Sequence, residues 1–134
     1  YSQTGRCRAL VIDDDIKALE LFNDYLTGMG VDVYLAPDPR EGFKMAKEIV
    51  PDIIFLDLIM PGIDGFTFLE QKEKEPQLKD IPVVVVTSKS LTASEKGFLE
   101  ERVEHIARKS HFGLEAFKAV VERIAGKGVT QHDL

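Results

Sequence analysis

The amino-acid sequence predicts an α/β fold, an open parallel sheet of five strands with five helices covering both faces. Three observations predict it. Short β-branched apolar runs alternate with segments of helical spacing. The runs are continuous, as suits strands buried on both faces. Turn and cap residues separate the two kinds of segment.

The strands are read at residues 9–12, 31–35, 53–56 and 83–86, each a short apolar run. In the first helix Ile16, Leu19, Leu21, Phe22 and Leu26 fall largely on one stripe, and Gly28 and Gly30 close it. Pro37 and Pro39 bracket the entry to a second helix carrying Phe43, Met45, Ala46 and Ile49. Pro51 and Asp52 precede the third strand, and Pro76 ends the third helix. Thr92 or Ser94 caps a fourth helix running to Arg102. The fifth strand falls near residues 103–108, although Glu104, His105 and Arg108 interrupt it. Leu114, Phe117, Val120, Val121 and Ile124 mark the last helix, and residues 127–134 read as a frayed tail.

Composition narrows the function. With 134 residues there is room for one core and little more. A net charge of −6 argues against nucleic acid or an anionic membrane as the partner of this segment. No apolar run approaches the roughly 20 residues of a membrane span. The single cysteine, Cys7, excludes an internal disulfide and fits a reducing, cytoplasmic setting. The chain starts at Tyr1 with no secretory segment, which predicts a piece of something longer or a processed product.

The chemistry-bearing residues stand where strands stop. The first strand runs into Asp13-Asp14-Asp15 and the third into Asp57. In open α/β sheets ligands bind outside the carboxyl ends of the strands. If the first and third strands are neighbours, Asp13, Asp14 and Asp57 converge. Clustered anions call for a cation, and oxygen ligands without Cys or His favour Mg²⁺ over Zn²⁺. Thr87 adds a hydroxyl and Lys109 an ammonium at the same rim. Such a set can neutralise a transferring phosphoryl group and contains a carboxylate nucleophile.

Together these residues resemble a receiver domain of two-component signalling. The resemblance covers about residues 8–126, leaving 1–7 as an N-terminal extension and 127–134 as a tail. Its carriers are Val11-Ile12-Asp13-Asp14-Asp15, Pro51-Asp52-Ile53-Ile54-Phe55-Leu56-Asp57, Met60-Pro61-Gly62-Ile63-Asp64-Gly65, Thr87-Ser88 and Lys109. The spacings from Asp14 through Asp57 and Thr87 to Lys109 are 43, 30 and 22 residues, a specific set. The resemblance implies a flavodoxin-like sheet of order 2-1-3-4-5, the order for which a chemotaxis receiver is itself a standard example. It implies that Asp57 accepts a phosphoryl group from a phosphohistidine on a histidine kinase or phosphotransfer protein. It further implies Mg²⁺ on Asp14, Asp57 and the carbonyl of Ile59, with Asp13 reaching the ion through water, and phosphate contacts from Thr87 and Lys109. Such a domain catalyses only its own phosphorylation and dephosphorylation.

Three positions depart from the family pattern. Ser110 follows Lys109 where proline in a cis bond is usual, so a trans bond is expected. Ile106 stands where Tyr or Phe often switches rotamer. Residues 91–104 are strongly charged and lack the usual glycine turn. These features resemble receivers embedded in hybrid sensor kinases or phosphorelays.

The competing functions are a degenerate receiver acting only as an interaction module, and a Mg²⁺-dependent aspartyl-phosphate phosphatase. The phosphatase is disfavoured because Ile59, not a second Asp, sits two residues after Asp57. Asp15 reads as a helix-dipole residue, and Asp64 as a turn residue in a loop that Pro61 and Gly65 shape. Ser88 reads as a small residue tolerated near the phosphate. His105, His111 and His132 read as surface residues, Phe43, Phe66, Phe68 and Phe117 as core, and Cys7 as inert. Gly126-Lys127-Gly128 lacks the spacing of a phosphate loop.

Overall fold

A computed structural model describes residues 6–60, 62 and 64–124. The tail beyond 124, with His132 and Gly126-Lys127-Gly128, lies outside them, as do Pro61 and Ile63. Five parallel strands form one sheet: β1 (Arg8–Ile12), β2 (Asp32–Ala36), β3 (Ile53–Leu56), β4 (Val83–Thr87) and β5 (His105–Arg108). Their order is β2-β1-β3-β4-β5. The helices are α1 (Ile16–Gly28), α2 (Pro39–Ile49), α3 (Gly65–Glu73), α4 (Ala93–Glu100) and α5 (Leu114–Ile124). No helix among the described residues is long and apolar enough to cross a membrane.

Strand side chains alternate between the faces, so each apolar run feeds two cores. Ala9, Val11, Ile53, Phe55, Val84 and Val86 join α1 and α5 on one face. Leu10, Ile12, Ile54, Leu56, Val83 and Val85 join α2, α3 and α4 on the other. Phe117 anchors the first core, its ring centroid 4.7 Å from Phe22, 4.9 Å from Phe55 and 4.6 Å from Phe112. Phe68 is fully buried in the second. Phe43 and Phe66, expected in the core, are only partly buried and pack against its margin.

Caps set the helix starts. Asp15, Asp38 and Asp64 each accept an N–H of the first turn of α1, α2 and α3. Asp64, read as a turn residue, is thus an N-cap, accepting from Thr67 N at 3.0 Å. Of the two candidate caps for α4, Thr92 is used, in a reciprocal capping box with Glu95.

Two helices end earlier than the sequence suggests. The third helix stops at Glu73, three residues short of Pro76, because a run of turns follows Lys74. Lys72 is buried and donates to the carbonyl of Lys79 at 3.1 Å, closing that run. Burial lowers the pKa of its ammonium. The fourth helix stops at Glu100 rather than Arg102. Arg102 instead lies 3.8 Å over the Phe98 ring and pairs with Glu73 at 3.1 Å, tying α4 to α3.

Candidate functional site: an acidic pocket at the strand ends

Register builds the pocket. Ile12 pairs with Leu56 across β1 and β3, so the next residues, Asp13 and Asp57, leave the sheet side by side. Backbone bonds extend the ladder one rung further, from Asp13 N to Ala36 O at 3.1 Å and from Asp57 N to Ile12 O at 3.0 Å. On the other side Thr87 pairs with Arg108, which puts Lys109 at the same rim. Lys109 opens a short 3-10 turn, Lys109–His111. There is no cis peptide among the described residues, so the Lys109–Ser110 bond is trans as expected.

The side chains meet. Lys109 Nζ lies 2.7 Å from Asp13 Oδ2 and 3.1 Å from Asp57 Oδ2. Asp57 Oδ1 accepts the N–H groups of Leu58 at 2.7 Å and Ile59 at 3.3 Å. Asp13 Oδ1 accepts the N–H of Asp15 at 2.9 Å. Carboxylate oxygens of Asp13, Asp14 and Asp57 all lie within 4.8 Å of one another. Asp13 and Asp57 are buried, whereas Asp14 is exposed and leaves the cluster open to solvent. Thr87 is buried, and its hydroxyl oxygen accepts the N–H of Lys89 at 3.2 Å.

Burial raises the carboxyl of Asp13 above its ordinary 3.8, against the opposing pull of Lys109 and the Asp15 N–H. Burial works against the Lys109 ammonium too. The hydrogen bond and charge of Asp13, then those of Asp57, outweigh it and raise that pKa above 10.5.

Three carboxylates cluster and one ammonium pairs with two of them, Asp13 and Asp57, which leaves a net of two negative charges for a divalent cation to balance. The donors are all oxygen, and the exposed side leaves positions for water or phosphate, as Mg²⁺ prefers. The described residues fit such an ion.

Of the residues expected at the site, Asp13, Asp14, Asp57 and Lys109 are brought together, Thr87 ends β4, and Ile59, two residues after Asp57, is half exposed. Gly65 was read only as a loop-shaping residue, yet a Cβ on it would meet the carbonyl oxygen of Asp57 at 2.7 Å. The sequence shows a glycine there, but not that α3 begins against the end of β3, where a side chain has no room.

Comparison with known proteins gives a match to the response regulator receiver domain over residues 9–121. The chain belongs to this family. Its class is therefore a signalling domain. It is 38% identical over 81 residues to the DNA-binding dual master transcriptional regulator RpaA of Synechocystis, covering 60% of this chain and 34% of that protein. It is 31% identical over 126 residues to the response regulator PleD of Caulobacter vibrioides, covering 87% of this chain and 28% of that one. The chain thus spans about a third of the length of these curated relatives. The chemotaxis protein CheY4 of Vibrio cholerae superposes with a TM-score of 0.81 at 24% identity, over 89% of this receiver and 98% of that chain, and shares the fold.

Proposed function

We propose that this receiver takes a phosphoryl group from a phosphohistidine of a histidine kinase or phosphotransfer protein onto Asp57, in a Mg²⁺-dependent reaction. The observation that carries the reading is the meeting of Asp13, Asp14 and Asp57 at the rim of the sheet, with Lys109 paired to Asp13 and Asp57. In the transfer the phosphorus–nitrogen bond of the donor imidazole breaks and a bond from phosphorus to an Asp57 carboxylate oxygen forms. The imidazole departs with the electron pair and takes up a proton. Asp13, Asp14, Asp57 and the carbonyl of Ile59 are the residues that would hold Mg²⁺, which supplies positive charge against the phosphoryl oxygens when bound.

The chain's own residues do the rest. Lys109 holds Asp57 in place before transfer and offers its ammonium to a phosphoryl oxygen afterwards. The N–H groups of Leu58 and Ile59 fix the carboxylate plane. Thr87 accepts the N–H of Lys89 and keeps its own O–H to donate to a phosphoryl oxygen. The change at Asp57 and Thr87 would then alter protein–protein contacts of a cytoplasmic signalling chain, with a hybrid kinase as one setting.

Incubation with acetyl phosphate and Mg²⁺, followed by intact mass, tests the reading. A single base-labile phosphoryl group that disappears in Asp57→Asn is expected. No incorporation from any donor would leave an interaction module, and turnover of excess phosphate ester would indicate a phosphatase.

A further inference from the structure

After β5 the chain turns through Lys109–His111 and returns as α5, so the helix runs back along the strand it follows. Between them lies a hollow of about 400 Å³, inside the usual size range of small-molecule sites. It shares no residue with the acidic pocket of Asp13, Asp14, Asp57 and Lys109.

The hollow has two basic ends and an apolar middle. His105 opens β5, Arg123 stands near the end of α5, and the charge of Arg123 acts on His105, so these two share one end. Arg108 closes β5 and His111 follows it in the turn, at the other end. Between the ends, Phe112 and Val120 are buried and form the floor, and Ala116 and Ala119 keep the helix side shallow. Three strand steps separate His105 from Arg108, about 10 Å. The seven helical steps from Ala116 to Arg123 span about 10 Å as well.

Charge selects the occupant. Arg108, Arg123, His105 and His111 are the ionisable residues lining the hollow, all bases, in a chain of net charge −6. Neither guanidinium forms an ion pair among the described residues. Burial, then the charge of Arg123, lowers the pKa of His105, so the two arginines carry the charge at neutral pH.

We infer that this hollow is a binding site for a small, elongated dicarboxylate with an apolar middle. One carboxylate meets Arg108 and the other Arg123, each guanidinium offering a planar fork of donors that a carboxylate matches. The middle of the ligand rests on Phe112 and Val120. A molecule about 10 Å long satisfies both ends at once, because the distance between the basic ends is set by one four-residue strand.

The probe is biphenyl-4,4′-dicarboxylate, titrated into the unphosphorylated full chain labelled with ¹⁵N. Saturable amide shifts are expected along β5 and α5, with those of Asp13 and Asp57 unmoved. Biphenyl-4-carboxylate, which lacks one charge, should bind about tenfold or more weakly, the effect of losing one charged hydrogen-bonding pair. Arg108 and Arg123 are exposed, so Arg108→Gln and Arg123→Gln keep the fold. Each should weaken the diacid about tenfold or more and bring it to the level of the monoacid. The inference is overturned if no saturable shift appears along β5 and α5, or if the monoacid binds as tightly as the diacid. A loss in only one of the two variants, or in neither, also overturns it, because the two ends then do not hold one ligand. None of these readouts involves phosphorylation of Asp57, so this inference and the proposed function fail separately.

Discussion

Lys109 Nζ stands 3.1 Å from Asp57 Oδ2, joining residues 52 positions apart in the chain. The same ammonium is 2.7 Å from Asp13, so it is the internal counter-ion of two buried carboxylates. A divalent ion entering the cluster would meet a site already partly neutralised.

Lys109→Met therefore separates two properties. Removing the ammonium leaves Asp13 and Asp57 buried with no cation beside them, at a cost of about 1–3 kcal/mol in the metal-free protein. Mg²⁺ then binds several-fold tighter, because nothing competes for the carboxylates. Phosphoryl transfer slows by about a hundredfold, since a charge-stabilising donor is gone. Urea denaturation, Mg²⁺ titration and intact mass after acetyl phosphate check the three parts. A variant that lost both Mg²⁺ affinity and transfer would place Lys109 in the fold rather than in the chemistry.

Mg²⁺ itself is expected to stabilise the protein. An ion bound only by the folded state contributes about 2.7 kcal/mol at a hundred times its dissociation constant. Chelation should reverse the gain. Asp14 provides the control because its side chain is exposed. Asp14→Ala should change metal-free stability by no more than about 0.5 kcal/mol, yet remove most of the Mg²⁺ response. Thermal melts with and without the ion measure both.

The strand ends were legible because parallel strands need continuous apolar runs, and Asp13, Asp57, Thr87 and Lys109 each interrupt or follow one. Helix ends were less legible. Pro76 looked like a terminator, but the contact that closes the turn after α3 is made by Lys72, whose burial no local pattern signals. Arg102 has the helical propensity to extend α4, and only its tertiary contacts with Phe98 and Glu73 show why the helix stops short. Val50 ends α2 with φ 50°, a position where glycine or asparagine would be expected. Gly65 was visible as a glycine, but its closeness to Asp57 depends on how α3 leans on β3.

Gly65→Ala tests that closeness. The added Cβ would lie 2.7 Å from Asp57 O and 3.0 Å from Leu58 Cα, and both are backbone atoms that cannot rotate away. Overpacking of this kind costs about 1–3 kcal/mol. Because the strained atoms belong to Asp57 and its neighbour, phosphoryl incorporation should also fall, while Gly28→Ala, which meets nothing within 4 Å, should leave incorporation unchanged. Equal effects from both substitutions would remove any special role for Gly65.

Cys7 gives a prediction in pH. It is 2% exposed, and burial, with Asp52 next, pushes its thiol from 9.0 up to about 12. The folded state therefore keeps its proton where the unfolded chain has released it. Between about pH 9 and 12 the unfolded state binds fewer protons, so this residue's contribution makes stability fall as pH rises. Cys7→Ala should flatten the decline above pH 9, although the smaller side chain lowers stability at pH 7 by leaving a small void. Thiol labelling reports the same environment from another side, because thiolate is the reactive form and the buried sulfur exposes little of it. At pH 8 the native chain should react at least about a hundredfold more slowly than the chain in urea. Rapid native labelling, or a pH profile unchanged in Cys7→Ala, would show that the strand entry at β1 opens readily to solvent.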